Sequence, residues 1–470
     1  MFELDLSHSV LLILCLFAAC GFEFVNGFHD TANAVATVIY TNSLKPWAAV
    51  ILSGVCNFLG VWLGGIGVAI GIVNLLPVES LVDQNIAHSL SMVMALLISA
   101  IFWNLFTWYF GIPCSSSHTL IGSILGVGIA YSLLPGATET AVNWSKAKDI
   151  GLSLLISPLF GFSVTIILMF VIRNLTKKTS YGASLFKEPK KNTPPPTWIR
   201  SILILTCTSV SFSHGSNDGQ KGVGLVMLIL IGIIPSYFAL KSDGNPSTLV
   251  EPLGKSLAIM NTIDDTPFSA SDRTKLSNAK LLNQRLMERI DGITTVEAIP
   301  KNERFLVRKD IMILDREVRN ILKVPELTLS PQNREVLAAS MGSLRSLTDY
   351  SPSWVLLLIS VSLGTGTMIG WKRIVKTVGE KIGKEHLTYA QGASAELVTA
   401  STIGLSTNLG LPVSTTHVLS SGIAGSMVAS KGIKNLQANT VRNIVIAWVL
   451  TLPVVMVLSG TLFLIFRAIS

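Results

Sequence analysis

Ten apolar stretches divide the 470-residue chain, near residues 9–40, 46–76, 88–110, 112–134, 149–172, 202–240, 353–371, 386–410, 411–430 and 441–467. Bilayer hydrocarbon is about 30 Å thick and a helix rises about 1.5 Å per residue, so roughly 20 apolar residues make one crossing. Most of these stretches reach that length, and a chain carrying them must bury its surface in lipid. Charged residues are 14% of the chain, against roughly 25% in an average soluble domain. The mean hydropathy is +0.56. The expected fold class is an all-α integral membrane protein. Its first apolar stretch reads as retained, because MFELDLSHSV carries acids and no basic region of the kind that opens a cleaved signal peptide.

Five stretches precede a basic, proline-rich linker, KEPKKNTPPPTWIR, and five follow it. The halves resemble each other. VNGFHDTANAVAT (Val25 to Thr37) aligns with SHGSNDGQKGVGL (Ser213 to Leu225) at an offset of 188, pairing Gly27 with Gly215 and Asp30 with Asp218. GIPCSSSHTL (Gly111 to Leu120) aligns with GLPVSTTHVL (Gly410 to Leu419) at an offset of 299. The offsets differ by 111, about the length of the polar block from 242 to 352, so one insertion into the second half accounts for the shift. Two copies with an odd number of crossings point in opposite directions, the plan of many secondary transporters. The expected organisation is membrane repeat 1 over 1–172, a linker over 173–200, repeat 2 over 201–241 and 353–470, and a helical insert over 242–352. The fourth stretch of each half also suits a re-entrant segment.

Charge orients this arrangement. Residues 173–200 hold seven basic side chains against Glu188 alone, and five more lie between Lys372 and Lys384, which makes both loops cytoplasmic by the positive-inside rule. The termini and the insert then fall outside, in a multi-pass protein of the inner membrane. Between Lys241 and Pro352 there are 16 basic and 15 acidic residues, so the net charge of +8 resides in short loops and needs no nucleic-acid partner. The five cysteines lie in apolar stretches without CxxC spacing, which argues against disulfides and a zinc site. In the insert, SDRTKLSNAKLLNQRLMERIDG and SPQNREVLAASMGSLRSLTDY show apolar residues at helical spacing.

Acids inside apolar stretches are costly unless they face a cavity or a partner, which singles out Glu23, Asp30, Asp218 and Glu396. Asp30 and Asp218 occupy matched places, among Gly27, Gly215, Gly219 and Gly222 and the polar groups His29, Asn33, Asn217 and Gln220. Such glycines permit broken helices at the midplane, whose carbonyls face a cation and whose N–H groups face an anion. A capping role for the two aspartates is the bland alternative, disfavoured in the middle of long apolar runs. The doubled Pro-x-Ser-(Ser/Thr)-(Ser/Thr)-His motif reads as a helix start with proline in its first turn. Ser115, Ser116, Ser117 and Thr119 in one copy, with Ser414, Thr415 and Thr416 in the other, then offer neutral donors to an oxyanion. A single hydroxyl cluster in a membrane helix more often bonds backbone, but duplication at matched positions points to binding. His118 and His417 read as orienting groups. A Ser–His nucleophile is disfavoured, because adjacent helical residues point apart and no third orienting group is marked.

GFHDTANA, SHGSNDGQKG and the doubled P-x-S-x-x-H motif resemble the inorganic phosphate transporter (Pit) family, most closely its bacterial low-affinity members, over roughly 10–240 and 353–467. The resemblance implies a dimeric inverted-repeat symporter for inorganic phosphate with membrane lipid around it, no cofactor and no resident metal. Bacterial members of this kind are proton symporters that accept phosphate as a neutral divalent metal complex. It implies that Asp30, Asn33, Asn217 and Asp218 form the ion and substrate centre, with Ser115–Ser117 and Ser414–Thr416 at the phosphate; Glu396 joins the coupling-ion candidates. Sodium-coupled relatives carry Asn-Asp-Val-(Ala/Ser)-Asn twice. Here the second copy reads Asn217-Asp218-Gly219-Gln220-Lys221, and the first has His29 in place of the leading Asn. An ammonium at Lys221 repels a nearby cation and attracts phosphate or Asp218. Proton coupling is therefore expected over sodium coupling. A permease for sulfate or another ion, an intramembrane hydrolase and a receptor or scaffold are the remaining alternatives.

Overall fold

The computed structural model describes residues 4–76, 86–135, 142–190 and 193–469. Its helices are, in chain order, α1 Leu6–Tyr40, α2 Pro46–Leu63, α3 Gly67–Val73, α4 Ile86–Tyr109, α5 Ser116–Ser132, α6 Trp144–Thr176, α7 Ser180–Leu185, α8 Thr197–His214, α9 Gln220–Ile233, α10 Pro235–Phe238, α11 Val250–Asn261, α12 Ala270–Ile290, α13 Arg304–Ile321, α14 Pro331–Arg345, α15 Ser353–Thr367, α16 Lys372–Glu380, α17 Tyr389–Asn408, α18 Thr415–Lys431 and α19 Ala438–Ile469. The chain packs as two compact units, Glu3–Ile229 with Pro352–Ser470, and Leu230–Ser351.

Among the described residues α1, α2, α4, α6 and α19 are long and apolar enough to cross a membrane, and α15 is a shorter apolar helix. The outer faces of α6 and α19 expose Leu155, Leu159, Ile167, Val449 and Val457. So much exposed aliphatic surface on two helices suits lipid, where apolar faces need no cover. Within the same unit, Ala32, Val35 and Val38 of α1, Leu203 and Cys207 of α8, Ala395 of α17 and Leu419, Ile423 and Met427 of α18 form one buried cluster. Lipid supplies no hydrophobic drive between helices, so close packing of small residues and interhelical hydrogen bonds hold such a cluster.

Helix pairing in the larger unit is reciprocal. α5 packs on α19 as α18 packs on α6; α1 packs on α15 as α8 packs on α2; α4 meets α1 and α5 as α17 meets α8 and α18. α2 and α15 pair with each other. α6 and α19 each carry an internal proline, Pro158 and Pro453.

Several apolar stretches fold differently from their sequence reading. The stretch 46–76 breaks after Leu63, and Gly65 beyond it has φ +80°. The stretch 112–134 becomes helical only at Ser116, and its counterpart only at Thr415. Each start follows a glycine in the left-handed region, Gly111 at φ +66° and Gly410 at +65°, where a Cβ would be strained. The prolines are not in the first turn as expected. Ser115 and Ser414 are the N-caps, their hydroxyls accepting from His118 N and His417 N at 3.2 Å each, and Pro113 and Pro412 lie two residues earlier. A hydroxyl satisfies an orphan N–H that proline cannot use, so serine takes the cap.

In the smaller unit, α12 and α14 cover the two stretches read as helical, and Ser269 and Ser330 cap them. Leu276, Leu286, Leu314, Val318, Leu337 and Met341 form its buried apolar face. Arg308 is buried with them, its Nη1 donating to Ala239 O at 3.1 Å and Thr348 O at 2.7 Å.

Candidate functional site

The two acidic stretches meet the two hydroxyl-bearing helix starts in the larger unit. Asp30 projects from the middle of α1, which runs unbroken through Gly27 and Asp30. The expected break is absent from this copy: Gly27 serves instead where α1 meets the backbone of α15 at Leu363 and Thr367. The second copy does depart from α-helix, through a π-helical turn over Gly215–Gly219 between α8 and α9. Such a turn widens the helix by one residue and re-aims its side chains, a common device at functional sites.

Asp30 Oδ2 accepts from Ser116 Oγ at 3.1 Å, and Asp30 Oδ1 accepts from Thr416 Oγ1 at 2.5 Å. One carboxylate thus takes a hydroxyl from the tip of α5 and another from the tip of α18. Asp218 Oδ1 accepts from Thr415 Oγ1 at 3.2 Å, while its Oδ2 faces Lys221 Nζ at 2.8 Å. Lys221 Nζ also donates to Ser117 Oγ at 2.5 Å and to Val413 O at 3.3 Å, and Ser117 passes a hydrogen bond to Val413 O at 2.7 Å. All of these side chains are buried.

His214 stands between the acids, Nε2 lying 3.8 Å from Asp30 Oδ2 and 3.7 Å from Asp218 Oδ2. Its Nδ1 lies 2.9 Å from Asn57 Oδ1, and Asn57 Nδ2 donates to Thr367 Oγ1 at 2.9 Å. One ligand atom each from Asp30, His214 and Asp218 falls within 4.8 Å of the others, a spacing that a single cation can bridge. His29 completes the surround, Nδ1 at 3.2 Å from Asp30 Oδ1 and Nε2 at 3.2 Å from Thr107 Oγ1. Sequence reasoning did not single out His214. At the offset of 188 it aligns with Asn26, so a search for matched residue types passes over it.

The other candidates divide by role. Asn217 holds the backbone ahead of α18, donating to Thr407 Oγ1 and Leu411 O and accepting from Val413 N at 3.0, 3.1 and 3.2 Å. Gln220 bonds Gly64 O, Val68 N and Ser216 O, which spans the gap between α2 and α3. Thr119 turns back onto Ser115 O at 3.0 Å. Asn33 lies in α1, its side chain outside those described. Glu396 accepts from Thr206 Oγ1 at 2.5 Å, and so bonds α17 to α8 rather than joining the two aspartates. Glu23 accepts from Asn26 Nδ2 at 3.1 Å. The rings of His118 and His417 lie 4.6 Å apart, with His417 stacked on Trp448 at 4.0 Å.

Buried carboxylates, an imidazole, an ammonium and hydroxyl-bearing helix tips, enclosed among helices long and apolar enough to span a membrane, are the chemistry that a polytopic ion transporter requires. The phosphate transporter family model matches residues 26–459, and the chain belongs to that family. It is 40% identical over 493 residues to the low-affinity inorganic phosphate transporter PitA of Escherichia coli (strain K12), covering 98% of this chain and 97% of the relative. It is 38% identical over 491 residues to PitB of the same strain, with the same coverage. A probable low-affinity inorganic phosphate transporter of Bacillus subtilis (strain 168) is 29% identical over 460 residues, covering 98% of each chain. The fold is similar to that of a solved sodium-dependent phosphate transporter, with TM-score 0.56 and 20% identity over 98% of this chain and 100% of that one. The relatives are named as transporters, and this chain is accordingly a transporter and not an enzyme.

Proposed function

We propose that this protein is a proton-coupled symporter that imports inorganic phosphate across the inner membrane, with Asp30, His214 and Asp218 as its coupling centre and the tips of α5 and α18 as its substrate grip. The substrate reading rests on the names of the relatives; the coupling reading rests on the convergence at Asp30 of hydroxyls from both tips. A phosphate anion cannot share a buried site with two carboxylates unless positive charge enters with it. A proton on Asp30 removes that repulsion and weakens its claim on Ser116 and Thr416, whose hydroxyls then turn to the phosphate oxygens. Lys221 supplies fixed positive charge on the same side. Divalent metal arriving with the phosphate as a neutral complex suits the site as cargo, because carboxylates and imidazole are its natural ligands.

The halves act as inverted repeats in this reading, which the reciprocal helix pairing and the matched caps of α5 and α18 support. The linker 173–200 lies in the cytoplasm and the insert 242–352 outside, in keeping with their charge, and the protein functions as a homodimer. Uptake of radiolabelled phosphate into proteoliposomes tests the proposal: a pH gradient without sodium drives uptake, and strict dependence on a sodium gradient overturns it. Competition by sulfate in the same assay separates phosphate from oxyanions of like shape.

A further inference from the structure

We propose that the ammonium of Lys221 is a tethered cation occupying a site built for a free one. Its three neighbours are all oxygens, drawn from three places: the Asp218 carboxylate at 2.8 Å, the Ser117 hydroxyl at the tip of α5 at 2.5 Å, and the Val413 carbonyl ahead of α18 at 3.3 Å. A carboxylate, a hydroxyl and a carbonyl freed from helix pairing are the ligand types that hard cations take in transporters with irregular backbone at the membrane midplane. A plain ion pair would need Asp218 alone. Here the side chain is 1% exposed, hydrogen-bonded to the hydroxyl and to the carbonyl and ion-paired with the carboxylate, so Lys221 fills the cage rather than leaning on one wall of it.

The first copy lacks this device. At the offset of 188, Lys221 aligns with Asn33 and Asp218 with Asp30. A neutral amide thus stands where the second copy carries positive charge, and Asp30 relies on hydroxyls and the imidazoles of His29 and His214. The two carboxylates therefore differ in function. Asp30 faces the exchangeable cation alone, whereas Asp218 shares that cation and also keeps a permanent one, and the transport cycle needs one mobile cation fewer than the duplicated plan allows. This inference rests on the proton-coupled reading above and accounts for its indifference to sodium.

Removing the ammonium reopens the cage, and Lys221→Asn does so with the residue that the first copy already uses. The full-length protein is purified as wild type, Lys221→Asn and Lys221→Gln. Each is melted in sodium chloride and in choline chloride, and each is assayed for phosphate uptake under a fixed pH gradient in both salts. Wild type melts and transports alike in the two salts. Both variants gain a sodium-dependent rise in melting midpoint, and sodium stimulates their uptake on the order of tenfold, within the usual range of coupling between two bound species. Where a variant aggregates in choline, preparation in sodium restores a monodisperse protein. Sodium-blind variants beside a proton-driven wild type, or variants that sodium fails to rescue, overturn the tethered-cation inference alone. Wild-type uptake that itself requires sodium overturns the proton-coupled reading as well.

Discussion

Replacing Asp30 by Asn separates the charge of this residue from its shape. Asp30 accepts from two hydroxyls, one on each oxygen, and Asn keeps a single acceptor, so either Ser116 or Thr416 must give up donating to position 30, at about 1–3 kcal/mol. A cation about 4 Å from the carboxylate loses about 4 kcal/mol of attraction at an effective dielectric of 20, which is roughly a thousandfold in affinity. A third effect has the opposite sign. Asp30 and Asp218 present oxygens within 4.8 Å of each other, and relief of their repulsion, about 3.5 kcal/mol before the Lys221 ammonium beside Asp218 offsets most of it, returns a smaller amount to the resting protein. Asp30→Asn should therefore remain folded, with a melting midpoint at or near that of wild type, while phosphate uptake driven by a pH gradient falls on the order of a hundredfold or more. Radiolabelled uptake in proteoliposomes, normalised to protein inserted, measures the second quantity, and thermal unfolding of the same preparation measures the first. Uptake within a factor of about three of wild type would refute the coupling role, since losing about 4 kcal/mol of attraction for the coupling cation cannot leave uptake so little changed.

Gly410→Ala, at φ +65°, should cost about 1–2 kcal/mol and lower the melting midpoint, whereas Gly404→Ala, in mid-helix with no atom within 4 Å of the new Cβ, should be neutral or stabilising; equal effects would remove the left-handed turn from the account. Burial holds the Asp349 carboxyl above its ordinary value despite Arg345 Nε at 2.8 Å. The folded state then binds that proton more tightly than the unfolded state does, so stability from this group is greatest below the ordinary carboxylate pKa and is lost as pH rises through the raised one. Asp349→Asn should flatten that fall between acid and neutral pH in thermal unfolding, and a curve parallel to wild type would contradict it.

The candidate site was legible in sequence to the extent that duplication marks it. Asp30 and Asp218 stand at one offset, and the Ser/Thr clusters stand at another, and all of them converge. Glu396 shows the limit of the same logic: a buried acid in an apolar run satisfies the rule for a functional residue, yet its described bond is to Thr206 on a neighbouring helix. Asn217 and Gln220 read as binding groups, but they spend their amides on backbone that the breaks near Gly64 and Leu411 leave unpaired. The expectation of a broken α1 failed because glycine in a membrane helix serves close packing as readily as unwinding, and sequence does not distinguish the two uses.

What the amino-acid order determined alone was local or repeated: apolar runs of spanning length, two hydroxyl-rich helix starts, and the paired motifs. Tertiary structure decided who bonds with whom. Thr416 reaches Asp30 across 386 positions, Lys221 reaches Ser117 across 104, and His214 enters the space between two acids with no counterpart in the other copy. Inside a medium of low dielectric every donor must find an acceptor, and several acceptors of the right type lie in each half. Which one is taken depends on how the helices pack, and only the folded bundle sets that.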